Sequence, residues 1–278
     1  MIKKKISNFS INQICDSGQC FRMTKLDDGS VEVIAKGGYL RVIQDESTDG
    51  DIVGFDCSEE EFNSYWKQYF DIDTSTDYTK IIQSIDKNDN YLINAADYGK
   101  GIRILNQDLW EMIISFIISQ RNNIKRIRSC IKKLCEQFGE KVVVTDGEGN
   151  ERIYFSFPTA EKLAMADIDE IKALGVGYRD VYIKKVAESV LRGDLDLELL
   201  ARMNYKDAKE ELLKLYGVGN KVADCICLFA LHHVDAFPMD THIISIVDKE
   251  YNGRFPFEKY NGYAGVLQQY MFYYDLQG

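Results

Sequence analysis

The chain has 278 residues, of which 45% are hydrophobic, 28% are charged and only three are prolines. This composition is typical of an ordered globular protein and excludes a disordered or collagen-like chain. The length is sufficient for two domains, or for one large domain with a smaller one. The formal net charge of -10 has the wrong sign for a protein that binds nucleic acid through its overall charge alone.

The N-terminal residues and the cysteines indicate the compartment. Lys3 to Lys5 interrupt the first apolar residues, so the sequence predicts neither a signal peptide nor a membrane span. The seven cysteines are odd in number and include no Cys-x-x-Cys pair, which argues against a disulfide framework and a zinc ribbon. We therefore expect an intracellular protein with reduced thiols and no membrane partner.

The first part of the chain carries the pattern of antiparallel β-strands. Residues 19–44 alternate apolar and polar side chains and are interrupted by Asp27–Gly29 and Gly37–Gly38, which is typical of short strands joined by tight turns. Helical periodicity dominates later. The sequence predicts an α+β protein, with an N-terminal antiparallel β-sheet domain over residues 1–98 and a mainly α-helical domain over residues 99–278.

One predicted helix carries a dense cluster of positive charge. Apolar residues recur at helical spacing over residues 124–138, after the polar pair Asn122–Asn123, and the pattern ends at Gly139. The stretch from Arg121 to Cys135 contains six Lys or Arg residues and no Asp or Glu. The helix is either solvated and amphipathic or a basic face that contacts DNA, and the sequence leaves both interpretations open.

Two Gly-Val-Gly sequences stand between helix-like segments, within residues 174–179 and 216–221. For the first copy alone we favour a helix end followed by a tight turn. The second copy lies between a strongly helical segment and an apolar helical one, which predicts a helix-hairpin-helix over about residues 205–231. Its two glycines allow positive φ and leave N–H groups at a helix start, where a nucleic-acid phosphate fits.

Lys221 and Asp240 are the candidate catalytic pair. Lys221 lies in the first turn of the second hairpin helix, where the helix dipole disfavours a cation and favours a neutral, nucleophilic amine. Asp240 follows nineteen residues later, before another apolar helix. The segment 232–242 is long enough to return the chain towards the lysine. Alternatively, the lysine contacts a phosphate at the surface and the aspartate caps its helix.

The segment from Leu215 to Ala230, followed by Phe237–His242, resembles the helix-hairpin-helix, Gly/Pro-rich loop and Asp signature of DNA glycosylases. Within that superfamily the chain resembles the 8-oxoguanine DNA glycosylases, from Ser17–Arg22 to Tyr263–Gly265. The absence of a C-terminal four-cysteine cluster argues against the iron–sulfur branch. The presence of Lys221 argues against the monofunctional alkylation-repair branch.

This resemblance implies base-excision repair of double-stranded DNA that contains oxidised guanine. The damaged nucleotide would rotate out of the duplex into a cleft between helical subdomains. Lys221 would attack C1′ to form a Schiff base, Asp240 would stabilise the cationic sugar or help to deprotonate the lysine, and β-elimination would cut the strand. The resemblance implies no metal, no organic cofactor and a monomeric enzyme.

The resemblance also implies a base pocket. Gly18 is similar to a glycine whose carbonyl accepts the N7 proton of 8-oxoguanine, and Gln268 to a residue that faces the Watson–Crick edge. Cys225 and Phe272 are similar to the two walls that sandwich the base. The alternatives are a turn glycine, a solvated helix position and simple core packing. His242 resembles a phosphate contact, or else has a structural role.

The remaining implied DNA contacts come from the hairpin and from residues that wedge beside the orphaned base; they are Gly217, Val218, Gly219, Asn122, Arg126, Tyr178 and Arg179. An arginine fork beside an aromatic plane suits the wedge. Gln120 and Arg121 depart from the asparagine that follows Ser-Ser in the family, which leaves the opposite-base preference open. Tyr216 replaces the usual proline before the hairpin and should leave the hairpin intact.

Two other functions remain open from the sequence. A glycosylase with the same chemistry but a different damaged purine would keep the lysine and aspartate and differ in its pocket. A noncatalytic helix-hairpin-helix module would bind phosphates but would not require these two residues.

Overall fold

The computed structural model describes residues 1–44, 52–147 and 149–277. Its contacts divide the chain into two compact units. The first comprises Met1–Val33, Leu40–Asn106 and His232–Gly278, and the second comprises Ile34–Tyr39 and Gln107–Leu231. The C-terminal segment therefore groups with the N-terminal part of the chain. The predicted boundary between residues 98 and 99 stays a prediction.

Five N-terminal strands form one sheet: β1 (Ile2–Lys5), β2 (Met23–Lys25), β3 (Val31–Ala35), β4 (Gly38–Gln44) and β5 (Ile52–Phe55). Their order is β1-β5-β4-β3-β2, and the β1–β5, β5–β4 and β3–β2 pairs are antiparallel. Strand β3 alternates buried Val31, Val33 and Ala35 with partly exposed residues, as a period of two requires. The predicted N-terminal antiparallel sheet is confirmed.

Helices account for most of the other elements. The first five are α1 (Ile11–Asp16), α2 (Glu59–Glu61), α3 (Lys67–Tyr69), α4 (Tyr78–Gln83) and α5 (Asn90–Tyr98), with a π-helical turn, Phe62–Trp66, between α2 and α3. The next eight are α6 (Leu109–Ser119), α7 (Ile124–Phe138), α8 (Ala160–Met165), α9 (Ile168–Ile171), α10 (Arg179–Leu191), α11 (Leu197–Leu200), α12 (Tyr205–Leu212) and α13 (Asn220–Phe229). The last two are α14 (Thr241–Tyr251) and α15 (Ala264–Gln277). None of the helices in the described ranges combines the length and apolarity that a membrane crossing requires.

An aromatic core and a buried carboxylate hold the first unit together. The rings of Trp66, Tyr69 and Phe70 are fully buried, with centroids 5.0 to 6.3 Å apart. Buried Asp71 accepts a hydrogen bond from the Tyr78 hydroxyl (2.6 Å), and its Oδ1 lies 3.0 Å from Nε2 of the histidine at 232. Burial raises the pKa of Asp71, but the hydrogen bonds from these partners and from Thr74 lower it by a larger amount. The pKa of Asp71 therefore lies below its usual value.

Helix α7 in the second unit forms where the charge and periodicity predict it. The Asn123 side chain accepts a hydrogen bond from the N–H of Arg126 at 2.9 Å, and the helix ends before Gly139. Its apolar face, which includes Ile127 and Ile131, is buried, while Lys125 and other basic residues point to solvent. A two-stranded antiparallel hairpin follows, composed of β6 (Lys141–Thr145) and β7 (Glu151–Phe155).

Candidate active site

A tight turn joins α12 to α13 in the second unit. Helix α13 begins at Asn220, with Gly219 as its N-cap. Gly217 has a φ of +85°, and a Cβ there would lie 2.3 Å from Cδ2 of Tyr182. A side chain at 217 is therefore disfavoured both by the backbone conformation and by the Tyr182 ring. The predicted helix-hairpin-helix is confirmed.

The start of α13 is open to an anion. Within the described chain no side chain caps this helix, and a Cβ on Gly219 would meet no atom within 4 Å. Val218 has a buried side chain, so it can meet a ligand only through its backbone. The amide of Gln120 donates to the carbonyl of Gly217 at 3.0 Å and supports the turn. Free N–H groups and the helix dipole together favour a bound phosphate.

Lys221 lies in the first turn of α13 and is partly buried. Its Nζ is 5.5 Å from the ring centroid of Phe116 on α6. That ring stacks on Phe229 of α13, with centroids 5.6 Å apart and planes at 17°. Contact between a lysine head group and the face of an aromatic ring restricts the side chain, so Phe116 helps to position Lys221.

Asp240 is the N-cap of α14 in the first unit. Its Oδ1 accepts a hydrogen bond from the N–H of Ile243 at 2.9 Å, so the capping alternative is realised. Capping uses one carboxylate oxygen and fixes the orientation of the other. Lys221 and Asp240 belong to different units, and their predicted meeting stays a prediction.

Gly18 and Gln268 lie in the first unit beside hydrogen-bonded neighbours. Gly18 has a φ of +77° and follows Ser17, whose carbonyl accepts from the amide of Gln269 at 2.8 Å. Gln268 is 4% exposed, so it is not a solvated helix position. Its Nε2 donates to the carbonyl of Pro238 at 3.2 Å, while its buried Oε1 has no partner in the described structure. A buried acceptor without a partner is costly, and a ligand would satisfy it.

The other predicted pocket and phosphate residues divide between the units. In the first unit, the rings of Phe272 and His242 meet edge to face at 5.8 Å, and Nδ1 of the histidine lies 2.7 Å from Oδ2 of Asp275. In the second unit, Cys225 is buried on α13. Whether Cys225 and Phe272 enclose one base stays a prediction.

The first Gly-Val-Gly sequence ends a π-helical turn, Lys172–Val176, as expected for a helix end followed by a tight turn. Arg179 is 5% exposed and donates to the carbonyls of Val176 (2.8 Å) and Gln120 (2.9 Å). Its guanidinium also lies 4.6 Å from the ring centroid of Tyr178, which is 49% exposed. The tyrosine is therefore the solvent-facing member of the predicted wedge.

The other two members of this set also bond to protein carbonyls. An Nη of Arg126 donates to the carbonyl of Gly175 at 3.1 Å, and Nδ2 of Asn122 donates to that of Ile118 at 3.2 Å. The α6–α7 turn and the first Gly-Val-Gly turn are thus tied together. The contacts of all four residues with DNA stay predictions.

Comparison with known proteins identifies the family. Residues 1–113 match the family described as 8-oxoguanine DNA glycosylase, N-terminal domain, and residues 114–253 match the HhH-GPD superfamily of base excision DNA repair proteins. The chain belongs to the 8-oxoguanine DNA glycosylases of the HhH-GPD superfamily. The matches cover both the N-terminal sheet and the hairpin, in agreement with the observed fold.

Individual relatives of this glycosylase family member extend over most of its length. It is 31% identical over 266 residues to the N-glycosylase/DNA lyase of Saccharomyces cerevisiae, a match that covers 88% of this chain and 69% of the yeast protein. The Clostridium acetobutylicum 8-oxoguanine glycosylase/lyase, in complex with double-stranded DNA containing cytosine opposite 8-oxoG, is 34% identical with a TM-score of 0.88, and 99% and 97% of the two chains are covered. A structure of MBOgg1 with a low-affinity DNA ligand is 35% identical with a TM-score of 0.89, covering 99% of this chain and 96% of the other.

Sequence reasoning missed one polar cluster in this glycosylase family member. Asp224 of α13, one helical turn after the lysine, is 5% exposed and accepts from the Tyr205 hydroxyl at 2.6 Å. Nζ of Lys209 lies 2.7 Å from its Oδ1, so α12 and α13 are joined by a partly buried ion pair. An acidic residue within an apolar helix was the available signal, because such a charge requires a partner.

Proposed function

We propose that this chain removes 8-oxoguanine from duplex DNA and then cleaves the strand at the resulting abasic site. The main support for this function comes from the hairpin, because the uncapped start of α13 and the Lys221 amine lie within one helical turn of each other. The hairpin binds the backbone phosphate, and the lysine supplies the nucleophile. Relatives named N-glycosylase/DNA lyase and 8-oxoguanine glycosylase/lyase support both activities.

The chemistry proceeds in two stages. The neutral amine of Lys221 bonds to C1′ while the C1′–N9 bond breaks, and the base leaves with the bonding electrons. One amine proton passes to the departing base, and the other passes to O4′ as the C1′–O4′ bond breaks and the sugar ring opens, which leaves a Schiff base. Removal of a C2′ proton then expels the 3′ phosphate by β-elimination. Asp240 stabilises the cationic sugar in the first stage, with the carboxylate oxygen that does not cap α14.

Recognition of the lesion rests on groups of the first unit. 8-Oxoguanine carries a proton on N7, where guanine has only an acceptor, so the Gly18 carbonyl would distinguish the two bases. The unpartnered Oε1 of buried Gln268 accepts a hydrogen bond from an N–H of the Watson–Crick edge. Because a site built for hydrogen bonds rejects ligands that leave its groups unpaired, this pocket favours one lesion.

The enzyme acts as an intracellular monomer without a metal or cofactor.

The test is a single-turnover assay on duplexes that carry one 8-oxoguanine, one unmodified guanine or one alkylated purine. We expect release of 8-oxoguanine and cleavage on its 3′ side, with guanine left in place. Gln268→Ala should slow release by about tenfold or more, since the lost bond involves a buried group. Unchanged substrate choice in Gln268→Ala and Gly18→Ala would favour another lesion, and binding without release would favour a noncatalytic module.

A further inference from the structure

Three tyrosines connect the two Gly-Val-Gly turns of the second unit. The ring centroids of Tyr178 and Tyr182 are 5.6 Å apart, and those of Tyr182 and Tyr216 are 5.3 Å apart, both edge to face. Tyr216 is 52% exposed although it directly precedes the hairpin glycine. The backbone of Gly217 packs against the ring of Tyr182, because a Cβ added to this glycine would lie only 2.3 Å from that ring. This tyrosine strip extends the anion-binding hairpin along the surface.

Lys185 of α10 is fixed on the end of the tyrosine strip. Its Nζ lies 3.7 Å from the ring centroid of Tyr216, although the lysine itself is exposed. Cation–π attraction restricts a side chain that is otherwise flexible. Neighbouring basic residues are neutralised by carboxylates: Lys184 by Glu188, Arg192 by Glu188 and Asp194, and Lys214 by Glu211. Among the described residues no carboxylate lies within 4.0 Å of Nζ of Lys185.

We propose that Lys185 and the Tyr216 hydroxyl bind a DNA backbone phosphate adjacent to the one held by the Gly217–Gly219 turn. This inference rests on the proposed function and adds a second anchor on the same strand. An ammonium that lacks a protein counter-ion and a phenolic O–H are both phosphate donors. The ammonium covers a face of Tyr216 and Tyr182 meets the same ring at 80°, so a phosphate fits better than a stacked base.

Most of the charged residues around Lys185 are paired with one another. A cavity of about 440 Å³ lies beside Lys185 and Tyr216, and its lining contains as many acidic as basic residues. Of the basic residues described in this lining, Arg192 and Lys214 form ion pairs with the acids, whereas the ammonium of Lys185 has no carboxylate within 4.0 Å. Lys185 would thus supply one positive charge for a phosphate, although the lining as a whole is neutral and the chain has a net charge of -10.

The experiment measures binding to a duplex with a tetrahydrofuran abasic analogue, which cannot form a Schiff base, by fluorescence anisotropy across about 50 to 200 mM salt. Lys185→Gln should lower the magnitude of the slope of log K against log salt by about 0.9, the value for one phosphate contact. Tyr216→Phe removes only the hydroxyl, so it should weaken binding severalfold and leave the slope unchanged. The matched control is Lys206→Gln, an exposed lysine of α12 with the same loss of charge.

An unchanged slope in Lys185→Gln overturns the second anchor, and so does an equal decrease in Lys206→Gln, which indicates a general charge effect. All of these positions are at the surface, and circular dichroism confirms that the variants are folded. Failure of the proposed function has a different signature. In that case the unaltered chain releases no 8-oxoguanine, whatever the salt slopes of the variants.

Discussion

Alanine should mainly lower the stability of the fold at one hairpin glycine and mainly lower the affinity for DNA at the other. At Gly217 an alanine must adopt a φ near +85° and place its Cβ 2.3 to 2.8 Å from three atoms of the Tyr182 ring. The left-handed backbone costs roughly 1–2 kcal/mol. Overpacking against the ring adds about 1–3 kcal/mol. We expect Gly217→Ala to lower the free energy of unfolding by roughly 2–5 kcal/mol.

Gly219→Ala provides the contrast. Its φ is -103° and a Cβ there has no atom within 4 Å, so the cost is the N-cap preference alone, below about 1 kcal/mol. The added methyl group would lie at the N-cap of α13, next to the helix start where we propose that the phosphate binds. We therefore expect binding to an abasic duplex to weaken by about tenfold or more, as for a lost hydrogen bond to a charged group.

Urea denaturation followed by circular dichroism, and anisotropy with the abasic duplex, measure the two effects separately. Gly217→Ala should shift the denaturation midpoint, and Gly219→Ala should shift mainly the affinity. A denaturation midpoint of Gly217→Ala equal to that of the unaltered chain would contradict the expected strain at this position. Destabilisation of Gly219→Ala as strong as that of Gly217→Ala would contradict the expected difference between the two glycines.

Three further substitutions test individual contacts. Asp224→Asn removes the carboxylate that pairs with the Lys209 ammonium and should lower the free energy of unfolding, measured by urea denaturation, by about 2–3 kcal/mol. An unchanged denaturation midpoint would contradict the structural role of this pair. The pKa of Asp71 is lower in the folded protein than the value of about 3.9 in the unfolded chain, so this carboxylate stabilises the fold fully above about pH 4 and progressively less as the pH falls. Urea denaturation at each pH should therefore show a smaller loss of stability below about pH 4 in Asp71→Asn than in the unaltered chain. Phe116→Leu removes the ring that positions the Lys221 side chain and should slow Schiff-base formation by about threefold or more at saturating DNA, for a contact of about 0.5–1 kcal/mol. Phe116→Tyr keeps the ring and should keep the rate. An equal slowing in Phe229→Leu, which removes the ring stacked on Phe116, would indicate a general packing effect.

Local patterns were sufficient to predict the elements that carry the function. Helix α7 and the hairpin were predictable because caps, glycines and apolar spacing act within a few residues. The antiparallel sheet followed from alternation and turn residues. The grouping of residues 232–278 with the N-terminal part was not predictable, because no local pattern records which distant elements meet.

Within the candidate site, side-chain burial was the main feature that the sequence did not contain. Arg179 reads as an exposed DNA contact, yet its donors are used by carbonyls as distant in sequence as Gln120. From its sequence, Gln268 could face the base or be a solvated helix position, and only the structure shows that its side chain is buried. Asp224 became interpretable only with Lys209 beside it. Each of these depends on tertiary contacts that propensity does not encode.

The most direct test of the account is borohydride trapping on a duplex with one 8-oxoguanine opposite cytosine, followed by mass-spectrometric mapping of the modified peptide. Reduction converts a Schiff base into a stable covalent complex. We expect an adduct on Lys221 that requires the lesion and is absent in Lys221→Gln, while Lys206→Gln still forms it. An adduct on another lysine, or no adduct from a chain that binds the duplex, would contradict the assignment of Lys221 as the nucleophile.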